Sequence, residues 1–387
     1  MSTFLVNHGT PALFGIGAAE KVGEELKNRG CTRVMVCCDP GIKKAGLCDK
    51  VLKYVRDAGL EAVEYSDVLP EPTASSVNKA GEFARSQNID GLVGLGGGSS
   101  MDTAKGVLIL LSNPGSTIFD YIAENRFRPK KLSYPLITIP TTSGTSSEVG
   151  PRMAITNDAN GEKTFSPVRA SLAIVDPEMV RGLPPFITAS TGLDMLAHTV
   201  ESYFNPNCEH WMSDYMDEKT IELVFEYLER AVKDGNDMEA RAKLSFACLN
   251  TGYAFGDNGT YMGHAIAVSL QKFCHDIPHG LSTSFTVPIS IRYFSTVYPE
   301  KIDRFARAAK IDLPEGLSVE EKGDFVAAKT RELCRKVGLN NMKSYGVTPE
   351  DWENMMKLAP ENHRFKTSSY TVDFERMHRL MEEEYDA

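Results

Sequence analysis

The chain has 387 residues, of which 42% are hydrophobic and 24% are charged, and its formal net charge at pH 7 is −10. This length and composition are typical of a globular protein with two or three domains, and the acidic balance argues against nucleic acid or a membrane surface as the partner. The longest apolar runs are too short to cross a bilayer, and the N-terminal residues lack the pattern of a signal peptide. Eight cysteines without a Cys-x-x-Cys pair are typical of reduced thiols, so we expect a cytoplasmic protein.

The first half of the chain alternates predicted strands and helices. Strands are predicted for the apolar runs at residues 33–38, 61–65, 90–95, 136–139 and 172–176, and helices for residues 50–57 and 75–86. Because the strands are apolar along nearly their whole length, we expect a parallel sheet covered on both faces. After about Leu183 the strands stop and apolar residues follow at helical spacing. We therefore predict a Rossmann-like α/β domain at residues 1–184 and an all-α domain at residues 185–387.

A glycine-rich turn follows the strand predicted at residues 90–95 and precedes a predicted helix. Backbone N–H groups at such a helix start bind anions, and glycines let the backbone approach a pyrophosphate closely. The run is neither a GxGxxG fingerprint nor a P-loop. A tight turn without a ligand is the alternative. We predict a cofactor-binding turn formed by Gly96, Gly97, Gly98, Ser99, Ser100 and Asp102.

One carboxylate and three imidazoles form a candidate metal site in a chain that has only eight histidines. Asp194 and His198 are four residues apart in a segment of helical character, so both lie on one helix face. With His264 and His279, which follow along the chain, this set suits a divalent transition metal, Fe(II) or Zn(II), with Mn(II) as a further candidate. The alternative for Asp194 and His198 is an acidic residue of a first helical turn and a core histidine.

Four motifs occur together, and the set resembles the iron-containing (group III, metal-dependent) alcohol dehydrogenase family. They are the glycine-rich turn continuing to Lys105, the segment Pro140-Thr-Thr-Ser-Gly-Thr-Ser-Ser-Glu148, Asp194-x3-His198, and His264 with Pro278-His279-Gly280. The similarity covers residues from about Gly15 to about Asn362. It implies the architecture shared by this family and dehydroquinate synthase, with metal and nicotinamide meeting between the two domains. It also implies a homodimer as the default assembly.

The resemblance extends to further cofactor-binding positions. Asp39 ends a predicted strand, where an acidic residue can bind the adenosine ribose and repel a 2′-phosphate. The family uses an Asp at this place, which points to NAD(H); a helix cap or turn residue is the alternative. Thr141, Thr142 and Thr145 belong to a hydroxyl-rich loop after a strand, and by resemblance Thr142 and Thr145 contact the cofactor. Lys163 is implied as a ribose ligand through a looser match.

Two positions depart from the family pattern. Many members have a second histidine four residues after the one matching His264, and this chain has Val268 there. His275 is the candidate replacement for proton transfer, with a surface or packing histidine as the alternative. Arg152 stands where relatives often carry an apolar residue. It could bind an anionic group of the substrate, or it could be a surface residue paired with an acid.

These observations predict an NAD(H)-dependent, metal-dependent alcohol dehydrogenase or aldehyde reductase. The expected substrate is a small aldehyde or alcohol, and one candidate is an anionic aldehyde such as sulfoacetaldehyde, which would give hydroxyethanesulfonate. A dehydrogenase of neutral short-chain alcohols or diols is one alternative. A lyase of the dehydroquinate synthase type is another, and a non-catalytic NAD- or metal-binding module is a third. The metal would act as a Lewis acid on the substrate oxygen.

Overall fold

The computed structural model describes residues 9–122, 132–207 and 210–387. The chain divides into two compact units between Arg181 and Gly182. The predicted boundary after Pro184 lies three residues further along and stays a prediction. Within the described ranges, no helix combines the length and the apolar character that a membrane span requires.

The first unit contains eight strands and five helices among its described residues. The strands are β1 (Ala12–Phe14), β2 (Arg33–Cys37), β3 (Glu61–Tyr65), β4 (Gly91–Gly96), β5 (Leu136–Pro140), β6 (Arg152–Asn157), β7 (Glu162–Pro167) and β8 (Leu172–Val175). The helices are α1 (Val22–Asn28), α2 (Pro40–Lys44), α3 (Leu47–Asp57), α4 (Ala74–Ser86) and α5 (Gly98–Ser112). Short 3₁₀ helices lie at Ala18–Lys21, Ile118–Tyr121 and Pro177–Val180.

Six of these strands form one parallel sheet in the order β1-β8-β5-β4-β2-β3. The predicted parallel sheet is therefore confirmed. The chain runs from β2 outward to β3 and then returns to place β4 on the other side of β2. The carboxyl ends of β2 and β4 thus flank a topological switch point, which is where ligands bind in open α/β sheets. Asp39 follows β2, and the glycine-rich turn follows β4.

Two hydrophobic clusters cover the two faces of this sheet. Val34 and Val36 of β2 belong to the cluster that includes α1 and α3, whereas Met35 and Cys37 belong to the cluster that includes α4 and α5. Helix α5 lies very close to β4, because a Cβ atom on Gly94 would lie 3.1 Å from both Ala104 Cβ and Met101 Cα. This close packing fixes the start of α5 against the end of β4.

The antiparallel hairpin of β6 and β7 is not among the predicted elements. In β6 only alternate side chains are buried, as at Met153 and Ile155. A strand with one buried face alternates polar and apolar residues, and it gives no continuous apolar run. The hairpin carries Arg152 at its base and Lys163 opposite Thr156.

The second unit is helical throughout its described part, which confirms the predicted all-α segment. Its helices are α6 (Pro185–Tyr203), α7 (Trp211–Lys233), α8 (Met238–Asn258), α9 (Met262–Gln271), α10 (His279–Ser284), α11 (Val287–Ser295), α12 (Pro299–Ala308), α13 (Val319–Lys336), α14 (Pro349–Leu358), α15 (His363–Lys366) and α16 (Phe374–Asp386). Short 3₁₀ helices lie at Met342–Tyr345 and Ala359–Glu361.

Helix α6 lies at the centre of this unit, since nearly every residue from Thr188 to Tyr203 is buried. The N-terminal end of α10 packs directly against it at Gly280. A Cβ atom at this position would lie only 2.4 Å from the carbonyl oxygen of Ser190 on α6. Glycine therefore sets how closely the two helices approach.

Helices α6, α7 and α12 share a buried charged network. Tyr203 Oη donates a hydrogen bond of 2.9 Å to Glu218, and Lys301 Nζ donates one of 2.8 Å to Asp214. Asp217, on α7, is completely buried beside this network. Burial raises the pKa of Asp217 well above its usual range, and the Asp214 carboxylate adds to this, while the Ser202 hydroxyl and Lys301 act in the opposite direction.

We expect Gly280→Ala to destabilise the protein by about 1–3 kcal/mol, because the new methyl group must displace helix backbone. Calorimetric unfolding would measure the effect. Gly97→Ala is the matched control, since a Cβ atom there would have its nearest neighbour at 3.6 Å. Equal melting temperatures for the wild type and Gly280→Ala would contradict the close helix contact.

Asp217→Asn is expected to raise the melting temperature at pH 7, with the advantage disappearing near pH 4. The unfolded chain releases the proton of Asp217 near pH 4, whereas the folded chain keeps it to higher pH. Stability therefore falls as pH rises through this interval, by up to about 1.4 kcal/mol per pH unit, and asparagine removes that loss. Melting temperatures between pH 4 and pH 8 would test this, with the exposed Asp312→Asn as the control. A pH-independent difference would contradict the assigned burial of a protonated carboxyl.

Candidate functional site

Three helices of the second unit bring the predicted metal ligands together. Asp194 and His198 lie one turn apart on α6, His264 lies in the first turn of α9, and His279 begins α10. Ligand atoms of Asp194, His264 and His279 all lie within 4.8 Å of one another. His198 adjoins them, with its ring centroid 4.4 Å from that of His264 and 4.6 Å from the ring of Phe255.

Asp194 is the centre of this group, and its side chain is 2% exposed. Its carboxylate oxygens lie 3.8 Å from His198 Nδ1, 4.0 Å from His264 Nε2 and 3.9 Å from His279 Nε2. Oδ1 also accepts a hydrogen bond of 2.9 Å from the Thr283 hydroxyl. Burial raises the pKa of Asp194, but the three histidines and Thr283 outweigh it and hold the pKa below its usual range. The carboxyl is therefore an anion in the interior.

These distances fit a shared cation better than direct contact. All three exceed a hydrogen-bond length, whereas two atoms that each bind one ion at about 2.0–2.2 Å can lie up to about 4.4 Å apart. Nδ1 of His198 is buried and has no hydrogen-bond partner among the described residues. An anionic carboxylate surrounded by imidazoles is a donor set for a divalent transition metal. The residues present therefore fit the metal that the sequence predicts, with three in mutual reach and His198 adjacent.

Three of the predicted ligands each contact a further polar group, and none of these groups was predicted from the sequence. Glu201 contacts His264 Nδ1, Gln271 Oε1 lies 3.1 Å from His279 Nδ1, and Thr283 donates to Asp194. The sequence does contain a signal for these partners, because each lies four or seven residues after a predicted ligand on the same helix, although it contacts a different one. The pairs on one helix are Asp194 and Glu201, His264 and Gln271, and His279 and Thr283.

Glu201 is the one carboxylate among these partners, and it is buried. Its side chain is 2% exposed, and Oε1 accepts hydrogen bonds of 2.9 Å from the backbone N–H groups of Tyr261 and His264. Burial raises the pKa of Glu201, opposed mainly by the His264 N–H and the positive charge of Arg364. Gly263 makes room for the carboxylate, since a Cβ atom there would lie 3.1 Å from Glu201 Cδ.

The first unit assembles the predicted phosphate-binding turn. Gly96 has φ 144°, which disfavours a side chain, and a Cβ atom there would lie 2.5 Å from Ser100 Oγ. A Cβ atom on Gly98 would lie 3.2 Å from Thr145. On Gly97 it would lie 3.6 Å from Thr142 Oγ1. The hydroxyl-rich loop therefore packs against the turn. We call these two segments together the cradle.

Asp39 lies beside this cradle and also caps a helix. Its Oδ1 accepts hydrogen bonds from Gly41 N and Ile42 N at the start of α2, while Oδ2 accepts one of 3.4 Å from Ser100 Oγ. The structure thus gives Asp39 a capping role, and its ribose-binding role stays a prediction. The hydroxyl groups of Thr141 and Thr142 are buried without a hydrogen-bond partner among the described residues. They are free to donate to a bound cofactor.

Asp102, predicted to bind the cofactor, has a structural role. One carboxylate oxygen accepts from Ser147 Oγ (2.5 Å) and the buried Lys105 (3.2 Å), and the other accepts from Ala154 N (3.0 Å). Lys105 also donates to the carbonyl of Arg152 at 2.8 Å. The ion pair of Asp102 and Lys105 therefore holds the start of β6 against α5. A direct cofactor contact by Asp102 stays a prediction.

The remaining predicted residues occupy more open positions. Ser99 Oγ accepts a hydrogen bond of 3.2 Å from Glu71 N, and Lys163 lies half-buried on β7. His275 lies in an exposed turn after α9, and the ion pairs of the Asp194 group do not include it. Arg152 is exposed on β6; local desolvation lowers the pKa of its guanidinium, and the positive charge of Arg169 lowers it further. No acidic partner of Arg152 is found among the described residues. The roles predicted for Ser99, Lys163, His275 and Arg152 stay predictions.

Each of the two units matches a known protein-family model. The family model described as "Iron-containing alcohol dehydrogenase" matches residues 10–177, and "Fe-containing alcohol dehydrogenase family, C-terminal" matches residues 188–385. The chain is 35% identical over 349 residues to a choline dehydrogenase of Bacillus subtilis (strain 168), covering 89% of this chain and 86% of the relative. It is 32% identical over 342 residues to a sulfoacetaldehyde reductase of Bilophila wadsworthia (strain 3_1_6), covering 87% of each.

A solved structure of 1,3-propanediol oxidoreductase superposes with a TM-score of 0.90 at 27% identity, covering 99% of this chain and all of that one. The two family matches together span most of the chain, and they include every predicted metal ligand and every residue of the glycine turn. The protein therefore belongs to the iron-containing alcohol dehydrogenase family and is an oxidoreductase.

Proposed function

We propose that the protein is an NAD(H)-dependent, metal-dependent alcohol dehydrogenase that works as an aldehyde reductase on a small substrate. The observation that carries this proposal is the buried group of Asp194, His264 and His279, whose ligand atoms lie within 4.8 Å of one another. Membership of the family supports the reaction class. The glycine turn beside Asp39 supports the nicotinamide cofactor.

Asp194, His198, His264 and His279 would hold the divalent ion, Fe(II) or Zn(II), with Mn(II) as a further candidate. When bound, the ion would supply Lewis-acid chemistry to the oxygen of an alcohol or aldehyde. One anionic carboxylate and three neutral imidazoles leave the site with a net charge of about +1. The burial of Asp194 and His264 keeps bulk water away from this charge and so strengthens its field.

The cradle in the first unit favours NAD(H) over its phosphorylated form. The N-terminal end of α5 offers backbone N–H groups to a pyrophosphate. Asp39, fixed by the N–H groups of α2 and by Ser100, presents negative charge beside Gly96. A 2′-phosphate would be repelled there, whereas ribose hydroxyls can donate to the carboxylate. Thr141 and Thr142 supply buried hydroxyls for further polar contacts.

Proton exchange with the substrate is assigned to His275 or to water. Val268, four residues after His264, cannot carry a proton, and His275 is exposed to solvent.

We further propose that the substrate carries an anionic group. The two relatives named above have substrates of opposite charge by name, choline and sulfoacetaldehyde. Arg152 on β6 has a second guanidinium, Arg169, as its main charged neighbour. A guanidinium held near another one is best neutralised by an anion such as a sulfonate or carboxylate. An excess of positive charge would repel choline. A dehydrogenase of neutral alcohols is the alternative.

The reaction class is tested by NADH oxidation at neutral pH with short aldehydes, using chelator-stripped and metal-reconstituted protein. We expect turnover only with Fe(II), Zn(II) or Mn(II) restored, because the carboxylate and imidazoles alone cannot polarise a carbonyl. Binding of NADH and metal without net NADH consumption by any aldehyde would contradict the proposal. That result would favour a lyase of the dehydroquinate synthase type.

Arg152→Ala should lower kcat/KM for sulfoacetaldehyde by about tenfold, since a charge-assisted hydrogen bond contributes roughly 1.5 kcal/mol or more. For propionaldehyde the constant should be unchanged. The ratio of the two kcat/KM values is the measurement, and Arg181→Ala, on the surface of the same unit, is the control. An unchanged ratio would remove Arg152 from the substrate site, and a preference for choline would reverse the proposed charge.

A further inference from the structure

Glu201 is a buried carboxyl group with no part in the metal set or in cofactor binding. It lies on α6, one turn beyond His198 and two turns beyond Asp194. It is therefore on the helix face that carries both ligands. A carboxylate that is 2% exposed costs free energy unless its lone pairs are satisfied. The contacts of Glu201 show what satisfies them.

All of these contacts converge on the start of α9. Oε1 accepts the backbone N–H groups of Tyr261 and His264, each at 2.9 Å, and Oε2 contacts the Nδ1 atom of His264. Glu201 thus holds both the backbone and the ring of one residue. The ring then has its Nε2 atom 4.0 Å from Asp194 Oδ1.

This arrangement decides the tautomer of His264. A ring nitrogen that binds a metal carries no proton, so the proton of a neutral imidazole must lie on the other nitrogen. With Nε2 directed to Asp194, that proton lies on Nδ1, and Glu201 Oε2 accepts it. A carboxylate acceptor also makes the opposite nitrogen a stronger donor to a metal.

His279 provides an internal comparison. Its Nδ1 atom lies 3.1 Å from Gln271 Oε1, a neutral amide oxygen, and its side chain is 24% exposed against 5% for His264. The two histidines therefore differ in the charge behind the ring and in burial. His264 is the more firmly held ligand.

We propose that Glu201 is a positioning residue that fixes the tautomer and direction of His264 and thereby sets the metal affinity of the site. This inference rests on the proposed metal-dependent function. Glu201 acts through His264 and does not touch the substrate.

The test is the dissociation constant of Co(II) for metal-stripped protein, measured by competition with a chelator and followed through the visible Co(II) spectrum. Glu201→Gln keeps the shape and one acceptor oxygen for the two backbone N–H groups. The NH₂ group of the new glutamine would donate to His264 Nδ1 and so favour the His264 tautomer that carries its proton on Nε2. We expect the dissociation constant to rise roughly 10- to 100-fold and the Co(II) spectrum to change.

Glu384→Gln is the matched control, because Glu384 is a buried carboxylate of the same unit that pairs with Arg331. It should leave the Co(II) dissociation constant unchanged. A folded Glu201→Gln protein with wild-type affinity and spectrum would overturn the proposal. Wild-type protein that binds no Co(II) would overturn it together with the metal-dependent function, so the two failures are distinguishable.

Gln271→Glu keeps the test decisive if Glu201→Gln does not fold. Gln271 is half-buried at the end of α9, and the substitution places a carboxylate behind His279. If a carboxylate partner strengthens a histidine ligand, the Co(II) dissociation constant should fall several-fold. An unchanged or weaker affinity would overturn the proposal in that case.

Discussion

The burial of the Asp194 carboxylate in the middle of α6 is the constraint on which the second unit depends. An anion in the protein interior needs compensating polar groups, and here they are three imidazoles and the Thr283 hydroxyl. Those groups come from α6, α9 and α10, so the three helices must meet at one point. Glycine makes this possible at two contacts, Gly263 against Glu201 and Gly280 against Ser190. The packing of these three helices and the chemistry of the candidate site therefore depend on the same residues.

Glycine also shapes the predicted cofactor-binding turn of the first unit. A side chain on Gly96, in the turn after β4, would collide with Ser100, and a glycine backbone of this kind can bring N–H groups close to a pyrophosphate. The buried pair of Asp102 and Lys105 then anchors the start of β6 to α5. The residues of the cradle are thus fixed by the sheet switch point and by an internal ion pair.

The predicted metal ligands differ in the polar group that contacts each of them. His264 is backed by a buried carboxylate, His279 by a neutral amide, and Asp194 by a hydroxyl. Such partners orient ligands and adjust how strongly they donate. In the proposed site the predicted ligands would supply the metal-binding atoms, and Glu201 and Gln271 contact the ring nitrogens of His264 and His279 that face away from Asp194.

The sequence by itself determined the parallel sheet, the helical second half, the glycine turn and the set of Asp194 and three histidines. Most of these have a local signature: continuous apolar runs, helical periodicity, consecutive glycines or, for Asp194 and His198, an i, i+4 pair. The sequence did not reveal the β6–β7 hairpin, because a strand with one buried face leaves no continuous apolar run. It also did not reveal that Asp102 hydrogen-bonds to Lys105, Ser147 and Ala154. Tertiary structure alone decided that Glu201 faces His264, 63 residues away. Helical spacing shows which residues share a face, but which distant residue that face meets depends on how the helices pack.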